Sequence, residues 1–111
     1  MTAPSRSDLY LALIRERYHA LERIAQDLEA KGYRQREVVI VYYTGGERIE
    51  VLSNIFRDQH LDALIIQGRD NRGDYCEVIG YPDSIQLVLE VVPVEGEPRP
   101  KPSFVTGEQS H

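Results

Sequence analysis

The chain has 111 residues, of which 41% are hydrophobic and 28% charged, the composition of one globular domain at roughly 150 residues per domain. This length excludes a multidomain enzyme. The longest apolar stretch, residues 38–43, is far shorter than the roughly 20 residues that cross a bilayer, and the first residues lack the apolar core of a signal peptide. We therefore expect a cytoplasmic protein. The single cysteine, Cys76, excludes an internal disulfide and a thiolate zinc cluster.

The net charge of −5 is unevenly distributed along the chain. Residues 1–36 carry seven Lys and Arg against five acids, whereas residues 37–92 carry ten acids against four arginines, a net charge of −6. A surface that binds nucleic acid gains affinity by neutralising phosphates, so this acidic region disfavours DNA and RNA as partners. It favours a protein partner with a basic surface.

The first predicted element is an amphipathic helix over residues 8–30. Leu9, Leu13, Leu21, Ile24 and Leu28 recur every three to four residues or multiples of that spacing, which indicates a helix with one apolar face. Ser7 is the expected N-cap, and Gly32 is expected just after the last turn.

The pattern after Gly32 predicts five short strands. The run VVIVYY at residues 38–43 is β-branched and aromatic, and it ends at Gly45 and Gly46, which permit a tight hairpin. Strands two to five are predicted at residues 47–56, 61–67, 74–81 and 85–92, separated by polar or proline-containing turns. Five short strands with short turns favour a closed barrel, because closure removes exposed edges.

The predicted fold class is therefore α+β, mainly β: an N-terminal amphipathic helix followed by a five-stranded antiparallel barrel. Residues 1–7 are expected to be a flexible N-terminus, and residues 8–92 the single domain. Residues 93–111 hold four of the six prolines among charged residues, which predicts a disordered, flexible C-terminal tail.

No catalytic or metal-binding constellation stands out in the sequence. Cys76 lies in a predicted strand, where a small buried apolar residue is the usual interpretation, and His60 has no second histidine near it in the sequence. The two glycines at 45 and 46 join strand to strand, whereas phosphate-binding loops join strand to helix. We therefore expect neither an enzyme nor a cofactor or metal.

A helix followed by five strands with these turns resembles the Sm-like fold, an SH3-type small barrel. Residues 58–65 (DQHLDALI) resemble the first Sm motif, and residues 81–88 (YPDSIQLV) resemble the second. In RNA-binding Sm-like proteins an asparagine contacts a base and an Arg-Gly pair lines the pore. The corresponding residues here are Asp62 and Gly80-Tyr81, which disfavours RNA.

Within that fold, residues 46–67 (GERIEVLSNIFRDQHLDALIIQ) are similar to the central pattern of the Rof family. These are small acidic bacterial proteins that bind transcription termination factor Rho and inhibit it. Asp62 fits the acidic position of that pattern better than the Sm asparagine. The acid-rich segment that the family usually carries before its helix is absent from residues 1–7.

The resemblance implies a non-enzymatic antitermination protein that binds the basic RNA-binding surface of Rho. Acidic residues near the turns are then expected to occupy sites that otherwise hold RNA phosphates. The candidate partner-binding residues are Glu47, Glu50, Asp58 and Asp62.

Two other functions remain open from the sequence. The first is an RNA-binding ring of Sm-like subunits joined through the barrel edges, as opposed to a monomer. In that case aromatic side chains stack on bases and arginines hold phosphates; the candidates are Tyr42, Tyr43, Phe56 and Tyr81 with Arg48, Arg57, Arg69 and Arg72. The second is an adaptor or assembly module that docks through its N-terminal helix, which is longer than one small barrel needs.

Overall fold

The computed structural model describes residues 3–105 and confirms a mainly β, α+β fold with one helix before the sheet. The helix α1 spans Arg6–Ala30. The strands are β1 (Arg36–Thr44), β2 (Glu47–Arg57), β3 (Leu64–Arg69), β4 (Tyr75–Gly80), β5 (Leu87–Pro93) and β6 (Ser103–Val105), and a short 3-10 helix, Pro82–Ser84, precedes β5. No helix within residues 3–105 is long and apolar enough to span a membrane.

The helix begins two residues earlier than predicted. Its N-cap is Ser5, whose side chain accepts the Asp8 N–H at 3.0 Å, so the prediction of Ser7 as the cap is wrong. Ser7 is instead completely buried, and its hydroxyl donates to the carbonyl oxygen of Asp62 at 2.6 Å. Part of the N-terminus predicted to be flexible is therefore helical and tied to the β2–β3 turn, while residues 1 and 2 lie outside the described residues.

The helix ends as the sequence predicts. Gly32 has a φ of 92°, and its N–H bonds to the carbonyl of Glu29, while the Tyr33 N–H reaches back to the carbonyl of Leu28. This pair of bonds is a Schellman motif, which needs a residue with positive φ and therefore favours glycine.

The main sheet has the strand order β4-β3-β2-β1-β5, and each neighbouring pair is antiparallel. Strands β1 to β4 follow one another, and β5 returns to pair with β1 along its length, from Arg36 opposite Pro93 to Tyr42 opposite Leu87. The five predicted strands are all present in this sheet, but within residues 3–105 no pairing of its end strands closes it into the predicted barrel. Its two outer strands are β4 and β5.

Strand β2 bends in its middle, where its pairing with β3 is irregular. Its first four residues pair with β1, and its register against β3 shifts between Val51 and Ile55. At the bend, β3 passes so close that a Cβ on Gly68 would lie 2.3 Å from the carbonyl oxygen of Glu50. Beyond the bend, β2 has left β1, so one edge of its second half is available to another segment.

The core lies between the helix and one face of the sheet. Leu11, Ile14 and Tyr18 of α1 are buried in one cluster with residues of the sheet. The predicted apolar face of the helix is therefore wrong for Leu9, Leu13 and Ile24, which are exposed. The sheet residues in that cluster are Val38, Ile40, Val51, Ile55, Leu64 and Ile66, joined by Ile85 from the turn before β5. Burial of this apolar surface holds the helix across the sheet.

The prediction of a flexible tail from residue 93 is wrong for residues 94–105, which we call the C-terminal strap. The Val94 N–H donates to the carbonyl of Gln35 at 2.9 Å, and β6 runs parallel to β2, pairing Asn54 with Ser103 and Phe56 with Val105. The prolines suggested an unfolded tail, but the residues between and after them bind the domain. Residues 106–111 of the predicted tail lie outside the described residues.

Candidate functional site: an acidic face covered by the C-terminal strap

The structure separates the four predicted partner-binding acids. Glu47 and Glu50 lie on the first half of β2, where Glu47 accepts the Asn71 N–H at 3.4 Å. Glu50 has a side chain only 16% exposed and binds two guanidinium groups, that of Arg48 at 3.3 Å and that of Arg99 at 3.0 Å. Glu50 therefore already holds cations from its own chain.

Asp58 and Asp62 lie beyond the other end of β2, and both shape the turn there. A carboxylate oxygen of Asp58 accepts the N–H groups of His60 and Leu61 at 2.9 and 2.8 Å, and these bonds hold the pKa of Asp58 below its usual value. Asp62 has a φ of 54° and accepts the Ser7 hydroxyl through its carbonyl oxygen. Burial alone would raise the pKa of Asp62, but hydrogen bonds from serine hydroxyls lower it. These two acids therefore have structural tasks.

The candidate RNA-binding residues Arg48 and Tyr43 meet at Glu90 of β5. One carboxylate oxygen of Glu90 accepts the Tyr43 hydroxyl at 2.8 Å, and the other accepts the Arg48 guanidinium at 2.7 Å. The bond from Arg48, and to a lesser degree that from Tyr43, lowers the pKa of Glu90. The bond between Arg48 and Glu90 also raises the pKa of Arg48. A phosphate at this position would have to displace a carboxylate.

The other candidate RNA-binding residues are scattered over the molecule. Arg57 pairs with Asp8 of the helix at 3.4 Å, and Arg72 pairs with Asp70 and Asp74 in its own loop. Tyr42 packs against the core and Phe56 is half-buried in β2, whereas Arg69 and Tyr81 are exposed. Arg69 lines one cavity with Arg48, beside Glu50, and none of the other candidate RNA-binding residues lines that cavity.

The most concentrated set of charge contacts involves Arg99 of the strap. Its backbone N–H and one guanidinium nitrogen donate to the two carboxylate oxygens of Glu37, at 2.8 and 2.9 Å, and its Nε donates to Glu50 at 3.0 Å. Burial alone would lower the pKa of Arg99, but the bonds to Glu50 and Glu37 raise it. A guanidinium held by two carboxylates is a strong, directional cation contact.

Lys101 extends this contact to the helix. Its ammonium lies 2.9 Å from one carboxylate oxygen of Glu22, and the other oxygen lies 2.9 Å from Nδ1 of His19. Burial would raise the pKa of Glu22, but the bonds to Lys101 and His19 outweigh it and lower the pKa.

Glu22, Glu37 and Glu50 thus form what we call the acidic face. They come from three elements, α1, β1 and β2, and their side chains are 19%, 13% and 16% exposed. A cavity of about 240 Å³ lies between α1, the start of β1 and the strap, beside Glu22 and Glu37. Burial and these two carboxylates raise the pKa of Tyr18, which also borders the cavity, to about 12. The face is built to hold cationic groups.

Cys76 does not have the surroundings of a nucleophile. It is half-buried in β4, and burial together with nearby acids, Asp70 first, raises its pKa, which disfavours the reactive thiolate. In the part of the chain from 3 to 105, no group of three or more His, Cys, Asp and Glu side chains is arranged to hold a metal ion.

The sequence identified one member of the acidic face, Glu50, and missed Glu22, Glu37 and their strap partners. The available signal was the alternation of proline and cation in residues 98–102 (PRPKP), in a chain whose preceding domain is acidic. Two cations at alternate positions follow residues 37–92, which carry a net charge of −6, and this order indicates an internal ligand for the acidic part of the chain.

We compared the chain with models of protein families, with curated proteins and with solved structures, and none of the three comparisons gave a match.

Proposed function

We propose that this is a non-enzymatic, acidic small-barrel protein that binds a basic segment of a protein partner. The resemblance to the Rof family names Rho as that partner and inhibition of Rho-dependent termination as the consequence. One observation carries the proposal: three carboxylates from separate elements converge on cations presented by one extended segment. A surface that holds Arg99 and Lys101 in this way suits basic side chains of another protein.

The distribution of charge supports a protein partner over RNA. Residues 37–92 carry a net charge of −6, and three of the four arginines there, Arg48, Arg57 and Arg72, already contact carboxylates. RNA phosphates would be repelled by the region as a whole and would have to compete with these internal pairs. A basic protein surface is attracted to the same region, and it can bind without breaking the ion pairs of these arginines.

In the proposed mechanism the acidic face competes with RNA for the basic surface of Rho. Its carboxylates occupy positions where RNA phosphates would otherwise bind. Glu50 belongs to the face, whereas Glu47, Asp58 and Asp62 contribute to the negative field that attracts the partner. Binding therefore weakens with salt, because long-range charge attraction is screened.

A second candidate function, an adaptor that docks through its helix, has its own support. Leu9, Leu13 and Ile24 of α1 are 57%, 53% and 47% exposed, and their helical spacing puts them on one side, opposite the buried Leu11, Ile14 and Tyr18. An exposed apolar stripe of this kind suits a partner helix.

The test is an affinity pull-down from bacterial lysate with the full chain as bait, at low and moderate salt, with nuclease treatment and mass spectrometry. We expect Rho to be recovered after nuclease treatment and to be lost at moderate salt. The charge-reversed bait Glu37→Lys/Glu50→Lys should lose Rho. A matched control, Asp27→Lys/Asp74→Lys, changes the net charge equally at two exposed positions outside the acidic face and should retain it.

Equal recovery of Rho by a folded Glu37→Lys/Glu50→Lys bait would contradict the proposed site. Recovery of RNA alone, lost on nuclease treatment, would favour the RNA-binding alternative. A partner lost on Leu13→Asp and retained by both charge variants would favour the helix adaptor.

A further inference from the structure

The strap occupies an edge that the main sheet leaves open. Beyond its bend, β2 has separated from β1, and Ser103–Val105 pairs with Asn54, Ile55 and Phe56 of β2 in parallel. Addition of an extended segment to a free strand edge is a common way in which proteins bind peptides. Here the added strand comes from the same chain.

The strap also has a side-chain anchor. Phe104 is half-buried, packs against the core, and its ring centroid lies 5.7 Å from that of Tyr18 of the helix. Arg99 and Lys101 contact the acidic face five and three residues before it. The strap therefore binds through a cation, a second cation two residues later and an aromatic residue three positions further on, together with backbone pairing to the edge of β2.

The contacts that hold the strap favour exchange. The Lys101 side chain is 75% exposed and that of Arg99 is 39% exposed, so solvent and salt reach both cations. Pro98, Pro100 and Pro102 fix their own φ angles and lack N–H groups, which keeps the segment extended when detached. A segment that is already extended loses little conformational entropy on docking.

We propose that the strap is an intramolecular ligand that covers a peptide-binding groove, formed by the acidic face and the free edge of β2, until an extended basic segment of a partner displaces it. The partner segment has the chemistry of the strap: two cations at alternate positions followed by an aromatic side chain. The inference rests on the proposed function for its biological partner, but the groove itself is tested without Rho.

The probe is a fluorescent synthetic peptide with the sequence of residues 97–106 (EPRPKPSFVT), added to the full chain. The release variant Arg99→Ala/Lys101→Ala/Phe104→Ala keeps the prolines and removes the three anchoring side chains. We expect it to bind the peptide at least ~10-fold more tightly than the wild type, because the wild-type groove is open for only a fraction of the time. A scrambled peptide of the same composition should not bind, and adding Glu37→Lys/Glu50→Lys to the release variant should abolish binding.

Equal affinity of the folded wild type and release variant for the peptide, or equal binding of the scrambled peptide, would overturn the inference. A second measurement avoids the release variant. In wild-type protein labelled with ¹⁵N, excess unlabelled peptide should move the amide signals of Ser103–Val105 to positions of an unstructured chain. Signals that stay in place up to millimolar peptide would also overturn it.

The two proposals fail in different ways. Recovery of Rho by the wild-type bait without any peptide binding would refute the groove and leave the proposed function intact. Peptide binding that follows the expected variants, without any recovery of Rho, would refute Rho as partner and leave the groove intact.

Discussion

Gly68→Ala should destabilise the protein strongly, because β2 and β3 touch at this residue. A Cβ there would lie 2.3 Å from the carbonyl oxygen of Glu50, 3.0 Å from its carbonyl carbon and 3.2 Å from a methyl group of Ile49. Two of these three atoms belong to the backbone of the neighbouring strand and cannot turn away as a side chain can. The close approach lies at the bend that frees the second half of β2.

The magnitude follows from the distance that the strands must move. A carbon and an oxygen in van der Waals contact lie more than about 3 Å apart, so the strands must separate by about 1 Å at a paired position. Overpacking a well-packed site lowers the free energy of unfolding by about 1–3 kcal/mol. We expect about 3 kcal/mol here, because the added Cβ meets backbone atoms, which can move less than side-chain atoms. Alanine also reduces the conformational entropy of the unfolded chain relative to glycine, which offsets under about 1 kcal/mol of this cost. The net loss should lower the melting temperature by about 10 °C.

Urea unfolding followed by circular dichroism measures this loss, with Gly80→Ala as the matched control. A Cβ on Gly80 meets side-chain atoms of Ile85, at 3.1 and 3.2 Å, which can shift by a few tenths of an ångström. We expect Gly80→Ala to cost about 1 kcal/mol. If Gly68→Ala destabilises no more than Gly80→Ala, the close approach of β2 and β3 is wrong.

Three further predictions concern the supports of the fold. Ser7→Ala should cost about 1–2 kcal/mol in urea unfolding, because it removes the buried bond to the Asp62 carbonyl, and an unchanged midpoint would contradict that bond. Asp58→Ala should lower the melting temperature more than Asp58→Asn, which retains an oxygen to accept the turn's N–H groups, and equal losses would contradict its role as a turn cap. Arg48 lowers the pKa of Glu90 in the folded state. The ion pair between them therefore contributes its full stability above the pKa that Glu90 has in the unfolded chain, and this contribution is lost as the pH falls through the pKa of Glu90 in the folded protein. Glu90→Gln should therefore flatten the loss of stability on acidification, and a stability curve with the wild-type slope would contradict this coupling.

Local patterns predicted most of the main sheet. The run at 38–43 and the two glycines after it determine the β1–β2 hairpin, where Gly45 and Gly46 have φ angles of 53° and 82°. The start of β3 was less accurate, at residue 61 in place of Leu64. The carboxylate of Asp58 and the positive φ of Asp62 extend the turn, and neither effect changes the hydrophobic pattern.

The site was harder to predict because its parts are distant in sequence. Arg99 meets Glu37 across 62 positions and Glu50 across 49, so no local pattern connects them. The prolines of the strap favoured a disordered tail, whereas the strap is held by acids on α1, β1 and β2, by pairing with β2 and by the Phe104 side chain. Asp58 and Asp62 illustrate the opposite error, since acids at a turn suggest a binding surface. The Asp58 carboxylate already accepts two N–H groups within the turn, and the Asp62 backbone carbonyl accepts the Ser7 hydroxyl of the helix.

A calorimetric titration of the full chain with purified Rho, without nucleic acid, at low and moderate salt would measure the proposed interaction itself. We expect binding at low salt that weakens at moderate salt, is lost in Glu37→Lys/Glu50→Lys and is retained in Asp27→Lys/Asp74→Lys. RNA and this protein should also compete for Rho. Absence of binding at low salt, or binding that folded Glu37→Lys/Glu50→Lys retains in full, would contradict the proposed function.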